Sequence, residues 1–182
     1  IEALEYFLSR IPGLIQVNGT SGSGAEQTWS AAQAISFGQL LAGGAVRLTA
    51  GADIDGTNMS AASITAQGQN LWLNDLTSVD STDLTARGLI QVNGTSRSGG
   101  AQTWSAAGAI NFGQLLAGGN AQLTAGGDIT GSNTSAAKIN AQGQNLRLND
   151  LTSVGAIDLL ARGLIQVSGT SRSGEIGRAS CR

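Results

Sequence analysis

The chain has 182 residues and a formal net charge of −2, with 41% hydrophobic and only 12% charged residues. That is globular in its apolar share and about half the usual charged share, which excludes a polybasic nucleic-acid surface, and no apolar run approaches the roughly 20 residues of a membrane span. Histidine, the commonest general base and metal ligand, is missing, and the single cysteine, Cys181, forms neither a disulfide nor a thiolate cluster.

Residues 1–12, "IEALEYFLSRIP", open the chain. They are acidic, too short in apolar content for a signal peptide, and do not match the "TDLTAR" that precedes a later copy of the repeat. They read as a non-repeat segment, a cap or a frame artefact. With no initiating Met, the chain reads as an internal piece of a longer protein. From Gly13 the sequence turns periodic. "GLIQVNGTS" at Gly13–Ser21 recurs at Gly88–Ser96, and as "GLIQVSGTS" at Gly163–Ser171, which sets a 75-residue period. The array is read as 13–174, with copies at 13–87 and 88–162 and a partial copy at 163–174. The two full copies differ at 19 of 75 positions. The "NGT" strings at Asn18 and Asn93 match a glycosylation acceptor but read as turns.

"TWSAA" follows at Thr28–Ala32 and Thr103–Ala107. Trp29 and Trp104 are expected to cover one side of a coil as a stacked aromatic, with a ligand-binding pair as the alternative. A short helix over Ser30–Gly43 is a second alternative there. Strand-like pieces then begin at Leu48, Ile64, Leu84, Ile110 and Leu123, at steps of 16, 20, 26 and 13 residues, giving four units of about 19 per repeat. Such units are too short for helix-pair repeats of roughly 33 residues or propeller blades of about 40.

The two copies show which way the strands face. Ser63, Thr65 and Trp72 become Lys138, Asn140 and Arg147, while Ile64, Ala66, Leu71 and Leu73 are kept as Ile139, Ala141, Leu146 and Leu148. Changing positions alternate with unchanged apolar ones, the period of two of a strand with one buried face. Leu48, Ile54, Ile64, Leu71, Leu73, Leu123, Ile129, Ile139, Leu146 and Leu148 are therefore placed in the core. Trp72 and Arg147 point outward, as possible contact residues. An all-β parallel solenoid follows, with coils of roughly 19 residues, three short strands per coil and a 75-residue super-repeat. Eight coils over 13–162 would form a rod of roughly 40 Å at about 4.8 Å per coil.

The acidic pairs Asp53/Asp128, Asp75/Asp150 and Asp83/Asp158 recur with the repeat. A catalytic site would be unique, so they read as turn formers bonding their own backbone. The asparagines Asn18, Asn70, Asn74, Asn93, Asn145 and Asn149 read likewise, with stacked ladders as the alternative. No catalytic residue, metal site or cofactor is assigned, and the chain is not expected to be an enzyme. Calcium-binding "GGxGxD" arrays are missing, and threonine is too irregular for an ice-binding ladder. Residues 175–182, "EIGRASCR", break the repeat and read as a sequencing-adapter scar.

The stretch "LTAGGDITGSNTSAAKINAQGQNLRLND", Leu123–Asp150, closely resembles the haemagglutinin repeats of large bacterial exoproteins. These include filamentous haemagglutinin-type adhesins and contact-dependent growth inhibition toxins. The matching positions are Leu48, Ala50, Gly51, Asp53 and Ile54, then Ile64, Ala66, Gly68, Leu71 and Leu73, each recurring at the equivalent place in the second copy. The resemblance covers Gly13–Gly174. It implies a right-handed parallel β-helix, two-partner secretion through an outer-membrane transporter, and a place on a Gram-negative surface. The function it implies is a structural stalk projecting a terminal adhesive or toxic domain. The alternative is direct adhesion, with an outer face binding glycans or a host or neighbouring cell. Nucleic acid and membrane insertion are not expected as partners.

Overall fold

Alternation of Leu, Ile and Val with Thr, Gln and Asn, broken by Gly, Ser and Asn pairs, favours short extended segments that bury one face. The computed structural model describes residues 7–11 and 13–182, and over them the regular structure is all strand. After β1 (Phe7–Ile11) the strands alternate in length. The longer ones are β2 (Ile15–Ser23), β4 (Ile35–Ala42), β6 (Ile54–Ala61), β8 (Leu71–Ser78), β10 (Ile90–Ser98), β12 (Ile110–Ala117), β14 (Ile129–Ala136) and β16 (Leu146–Ser153). The five-residue ones are β3 (Gln27–Ala31), β5 (Val46–Ala50), β7 (Ile64–Gly68), β9 (Thr82–Ala86), β11 (Gln102–Ala106), β13 (Ala121–Ala125), β15 (Ile139–Gly143) and β17 (Ile157–Ala161). The three last strands, β18 (Ile165–Val167), β19 (Ser171–Ser173) and β20 (Arg178–Cys181), continue the stacking.

Each strand pairs in parallel with its equivalent one coil away, so odd-numbered and even-numbered strands build two facing sheets as far as β18. The result is a β-solenoid of about 9 turns with coils about 19 residues apart. Registers Ile15↔Ile35↔Ile54↔Leu71↔Ile90 resolve the 75-residue repeat into coils of 20, 19, 17 and 19 residues. The steps of 16, 20, 26 and 13 are thus corrected. They ran along one sheet to Leu84 and then crossed to Ile110 on the other. The true partner of Leu84 is Trp104.

The long strands each turn a corner. In β6 the inward residues are Ile54, Gly56, Met59 and Ala61, so the alternation slips by one after Gly56. This slip divides a long strand into two faces, and with the five-residue strand each coil has three. In β2 and β10 the slip is a β-bulge, marked by register shifts after Val17 and Val92. The "NGT" strings expected to be turns are these bulges. One extra residue is absorbed there, which makes those coils the longest. The helix over Ser30–Gly43 does not form; β3 and β4 occupy it.

The expected aromatic cover is also corrected. Trp29 and Trp104 are 2% and 0% exposed, inside the core rather than over it. Their rings meet Phe37 and Phe112 edge-to-face at 6.0 and 5.8 Å, geometry favoured by the ring quadrupoles. Phe37 and Phe112 find room because the next coil places Gly56 and Gly131 above them. A Cβ at Gly56 would overlap the Phe37 ring. The coil with Gly56 also contributes Ala66, and it is the shortest of the four. Small interior residues and a short perimeter go together, and the neighbouring Phe fills the space.

Gly56→Ala is therefore expected to lose about 1–3 kcal/mol through overpacking. Combining it with Phe37→Leu should lose less than the sum of the two single changes, because the pair shares one volume. Urea denaturation of the three variants reads the difference; strict additivity would count against this packing.

Turn glycines serve stacking more than backbone freedom. Among the described glycines only Gly169, at φ +74°, lies in the left-handed region. At Gly51 and Gly126 a Cβ would overlap the carbonyl oxygens of Ala32 and Ala107, one coil away. Parallel turns approach too closely there for any side chain.

Arg178–Cys181 pairs with β17, and its side chains are exposed. It places Ala179 against Leu159, at the rung where earlier copies carry Trp29 and Trp104. The reading of residues 1–12 as a cap or artefact lies largely outside the described residues.

Candidate functional site

Leu48, Ile54, Ile64, Leu71, Leu73, Leu123, Ile129, Ile139, Leu146 and Leu148 all lie in the core, none more than 3% exposed. Three of the 19 differences between copies also reach it: Val46/Ala121, Met59/Thr134 and Thr82/Ile157. Chemistry that could meet a partner is thus confined to the outer faces and turns.

The acidic residues act between coils. Asp53 Oδ1 accepts from the backbone N–H and side-chain Nδ2 of Asn70, at 3.1 and 3.0 Å, and Asn70 Oδ1 accepts from Leu89 N at 2.9 Å. One Asp–Asn pair thereby ties three coils together. The second copy repeats it: Asn145 Nδ2 donates to Asp128 Oδ1 at 2.8 Å, and Leu164 N donates to Asn145 Oδ1 at 2.8 Å. Asp75 and Asp150 accept from Thr95 N and Thr170 N of the following coil, at 2.9 and 2.8 Å. The expectation of turn formers bonding their own backbone is corrected for these four. For Asn70 and Asn145 the turn reading, and the asparagine ladder that was its alternative, give way to an Asp–Asn relay between coils. Asp158 instead pairs with Lys138 at 3.0 Å, across the same outer face.

Only the second copy adds a cation to the relay. Arg147 Nη1 lies 3.0 Å from Asp128 Oδ2. The Asn145 hydrogen bond first, and the Arg147 guanidinium with it, hold the Asp128 carboxyl below its ordinary value of 3.8. A depressed carboxyl stabilises the fold fully above its unfolded value, and that share is lost as pH falls through the folded one. Asp128→Asn should accordingly show a smaller drop in melting temperature between pH 5 and pH 2.5 than the parent chain. An equal drop would detach this carboxylate from acid stability.

A second polar brace escaped the sequence reading. Gln102 is fully buried; its Nε2 donates to the Ser96 and Leu116 carbonyls, each at 3.0 Å, and Ser96 Oγ donates to its Oε1 at 2.7 Å. Gln27 repeats the arrangement with Leu41 and Ser21. The signal was present: Gln27 and Gln102 stand two residues before Trp29 and Trp104, on the same inward phase.

Trp72 and Arg147 occupy equivalent places on one outer face. Trp72 lies between Asp55 and Gln91 and is 40% exposed; Arg147 lies between Thr130 and Gln166. Each borders a shallow open groove at the strand corner. The first, of about 320 Å³, is lined by Asp55, Thr57, Trp72, Asn74 and Asn93 among others. The second, of about 290 Å³, uses the equivalent positions of the second copy, including Thr130, Ser132, Arg147, Asn149 and Ser168. Among the described residues no group of three His, Cys, Asp or Glu is placed to hold a metal ion.

Architecture defines the class: a parallel β-solenoid repeat protein, with no activity specified by the fold itself. Comparison with protein-family models, curated proteins and solved structures found no match.

Proposed function

We propose that this chain is a stalk segment of a large secreted or cell-surface bacterial exoprotein of the filamentous haemagglutinin type. In this reading it is exported by two-partner secretion through an outer-membrane transporter, and it holds a terminal adhesive or toxin domain away from the cell. The observation that supports it most is the way the repeat converts sequence into length. Each copy of the repeat adds four coils in continuous register, with one core running through them. At the usual strand spacing that is about 19 Å per repeat. The motif of Leu123–Asp150 points to the exoprotein type. The recurrent acids brace neighbouring coils, as a load-carrying rod requires.

The test is to place one, two or three copies between a two-partner secretion domain and a terminal reporter, and to express them with the cognate transporter. The reading expects the reporter on the cell surface, displaced outward by about 19 Å for each added copy. An array retained inside the cell, or a displacement that ignores copy number, would remove it. A direct adhesive role is the second reading, favoured by the groove beside Trp72.

A further inference from the structure

We propose that the groove beside Trp72 binds a neutral saccharide. Of the three tryptophans, two are sealed in the core, and only Trp72 presents its indole to solvent. An exposed indole can stack on the C–H face of a sugar ring, and it carries an N–H donor at its edge. Around it stand groups that complement hydroxyls. Asp55, directly beside Trp72 in the ladder, engages in none of the hydrogen bonds or ion pairs among the described residues, so its carboxylate can accept from a hydroxyl pair. The side chains of Asn74 and Asn93 are each oriented by one hydrogen bond. Asn74 Nδ2 donates to Asp75 at 2.8 Å, and Asn93 Oδ1 accepts from Gln91 at 2.7 Å. Each therefore turns its other polar atom free, an acceptor on Asn74 and a donor on Asn93. A flat apolar platform with a few fixed donors and acceptors is the chemistry of a hydroxyl-rich ring.

Charge narrows the class. No Lys or Arg lines this groove, and its one ionised group is Asp55. Acidic sugars, sulfates and phosphates are disfavoured; neutral hexoses or N-acetylhexosamines are not. The second copy supplies a contrast inside the same chain. There Thr130 replaces Asp55, Ser168 replaces Asn93, and Arg147 replaces the indole and is drawn to Asp128. The platform and the free carboxylate are lost together, so the site is expected once in this chain. It rests on the adhesive reading of this same groove and stands apart from the stalk reading, since a rod projects its end with or without a bound sugar.

The test is tryptophan fluorescence and calorimetry on the whole chain. The probes are neutral hexasaccharides of glucose, galactose, mannose and N-acetylglucosamine, with a sulfated hexasaccharide as the charged comparison. The two buried tryptophans leave Trp72 to report contact. At least one neutral probe should give a saturable emission change, weakened at least about tenfold in Trp72→Ala, kept in Trp72→Phe by calorimetry, and reduced in Asp55→Ala. If no neutral probe changes the emission, or if its binding heat survives Trp72→Ala, the proposal fails. Preference for the sulfated probe would overturn it as well.

Discussion

Replacing Leu71 with Asp is expected to unfold the coils around it, while replacing Trp72 with Ser costs less than about 1 kcal/mol. The two residues are adjacent, and the contrast comes from the pleat. Leu71 is 0% exposed and sits in register between Ile54 and Ile90, in the middle of the apolar column. An Asp there loses the roughly 1.5–3 kcal/mol that burial of the leucine contributes. It also places a carboxylate among aliphatic groups with no counter-charge, which costs several kcal/mol more whether it stays ionised or takes up a proton. A domain holds only about 5–15 kcal/mol in total. In a solenoid each coil is stabilised chiefly by its two neighbours, so the damage spreads to the coils of Ile54 and Ile90 first. Trp72 has Asp55 and Gln91 beside it and solvent in front. Its removal opens no cavity. Urea denaturation gives the size of each effect, and hydrogen exchange shows which strands open. Similar losses for the two variants would reverse the assignment of the faces.

That facing was legible in the sequence because two copies are written side by side. Of the 19 differences all but three fall outside the core, so Trp72/Arg147 and Ser63/Lys138 mark the outside without a structure. The coil phase was harder to read. A search for Leu-Thr-Ala starts finds β5, β9 and β13, but in β3 and β11 the same rung carries Trp-Ser-Ala. A stacked column tolerates Leu, Ala and Trp at one level if the opposite wall adjusts, as Phe37 does over Gly56. Pattern matching expects one residue type and so jumps to the other sheet. The Asp53–Asn70–Leu89 relay was hidden for another reason. Its partners are separated by one coil each, and the local turn chemistry of Asp and Asn accounts for the same residues without invoking a neighbour. The bulge at "NGT" shares this ambiguity, since Asn-Gly is also the commonest hairpin-turn pair. The groove beside Trp72 was legible only as an exposed residue. Asn93 and Asp55 come to it from different coils, and only the register brings them together.

That register predicts how the array responds to shortening. Deleting Ile54–Asp128 removes one whole period and joins Asp53 to Ile129. Ile129 then takes the place of Ile54 above Ile35, and Gly131 takes that of Gly56 above Phe37, as it already does above Phe112. Val46 meets Ile139 in place of Ile64, the same residue type. Asp53 acquires Asn145 as its relay partner and gains Arg147 beside it, the pair that Asp128 holds in the full chain. Each of these core and relay contacts has a counterpart that the molecule already makes; the new pairs, such as Ser36 beside Thr130 and Arg47 beside Asn140, lie on the outer face. The shortened chain should fold cooperatively with the same parallel-sheet circular dichroism. Its denaturant slope should be smaller, because less surface is exposed on unfolding. Deleting Ile54–Lys138, ten residues more, joins Asp53 to Ile139. A strand of one sheet then enters where the chain must supply the other. Ile35 and Leu40 lose their cover on that side, and the coils beyond cannot regain register without a break. With roughly 1.5–3 kcal/mol attached to each large aliphatic side chain left uncovered, this variant should lose cooperative unfolding, or split into two weak transitions. If both deletions behave alike, the 75-residue period is a feature of the sequence alone. If only the in-phase deletion folds, the period is a mechanical unit, and the rod can be lengthened or shortened in whole steps of about 19 Å.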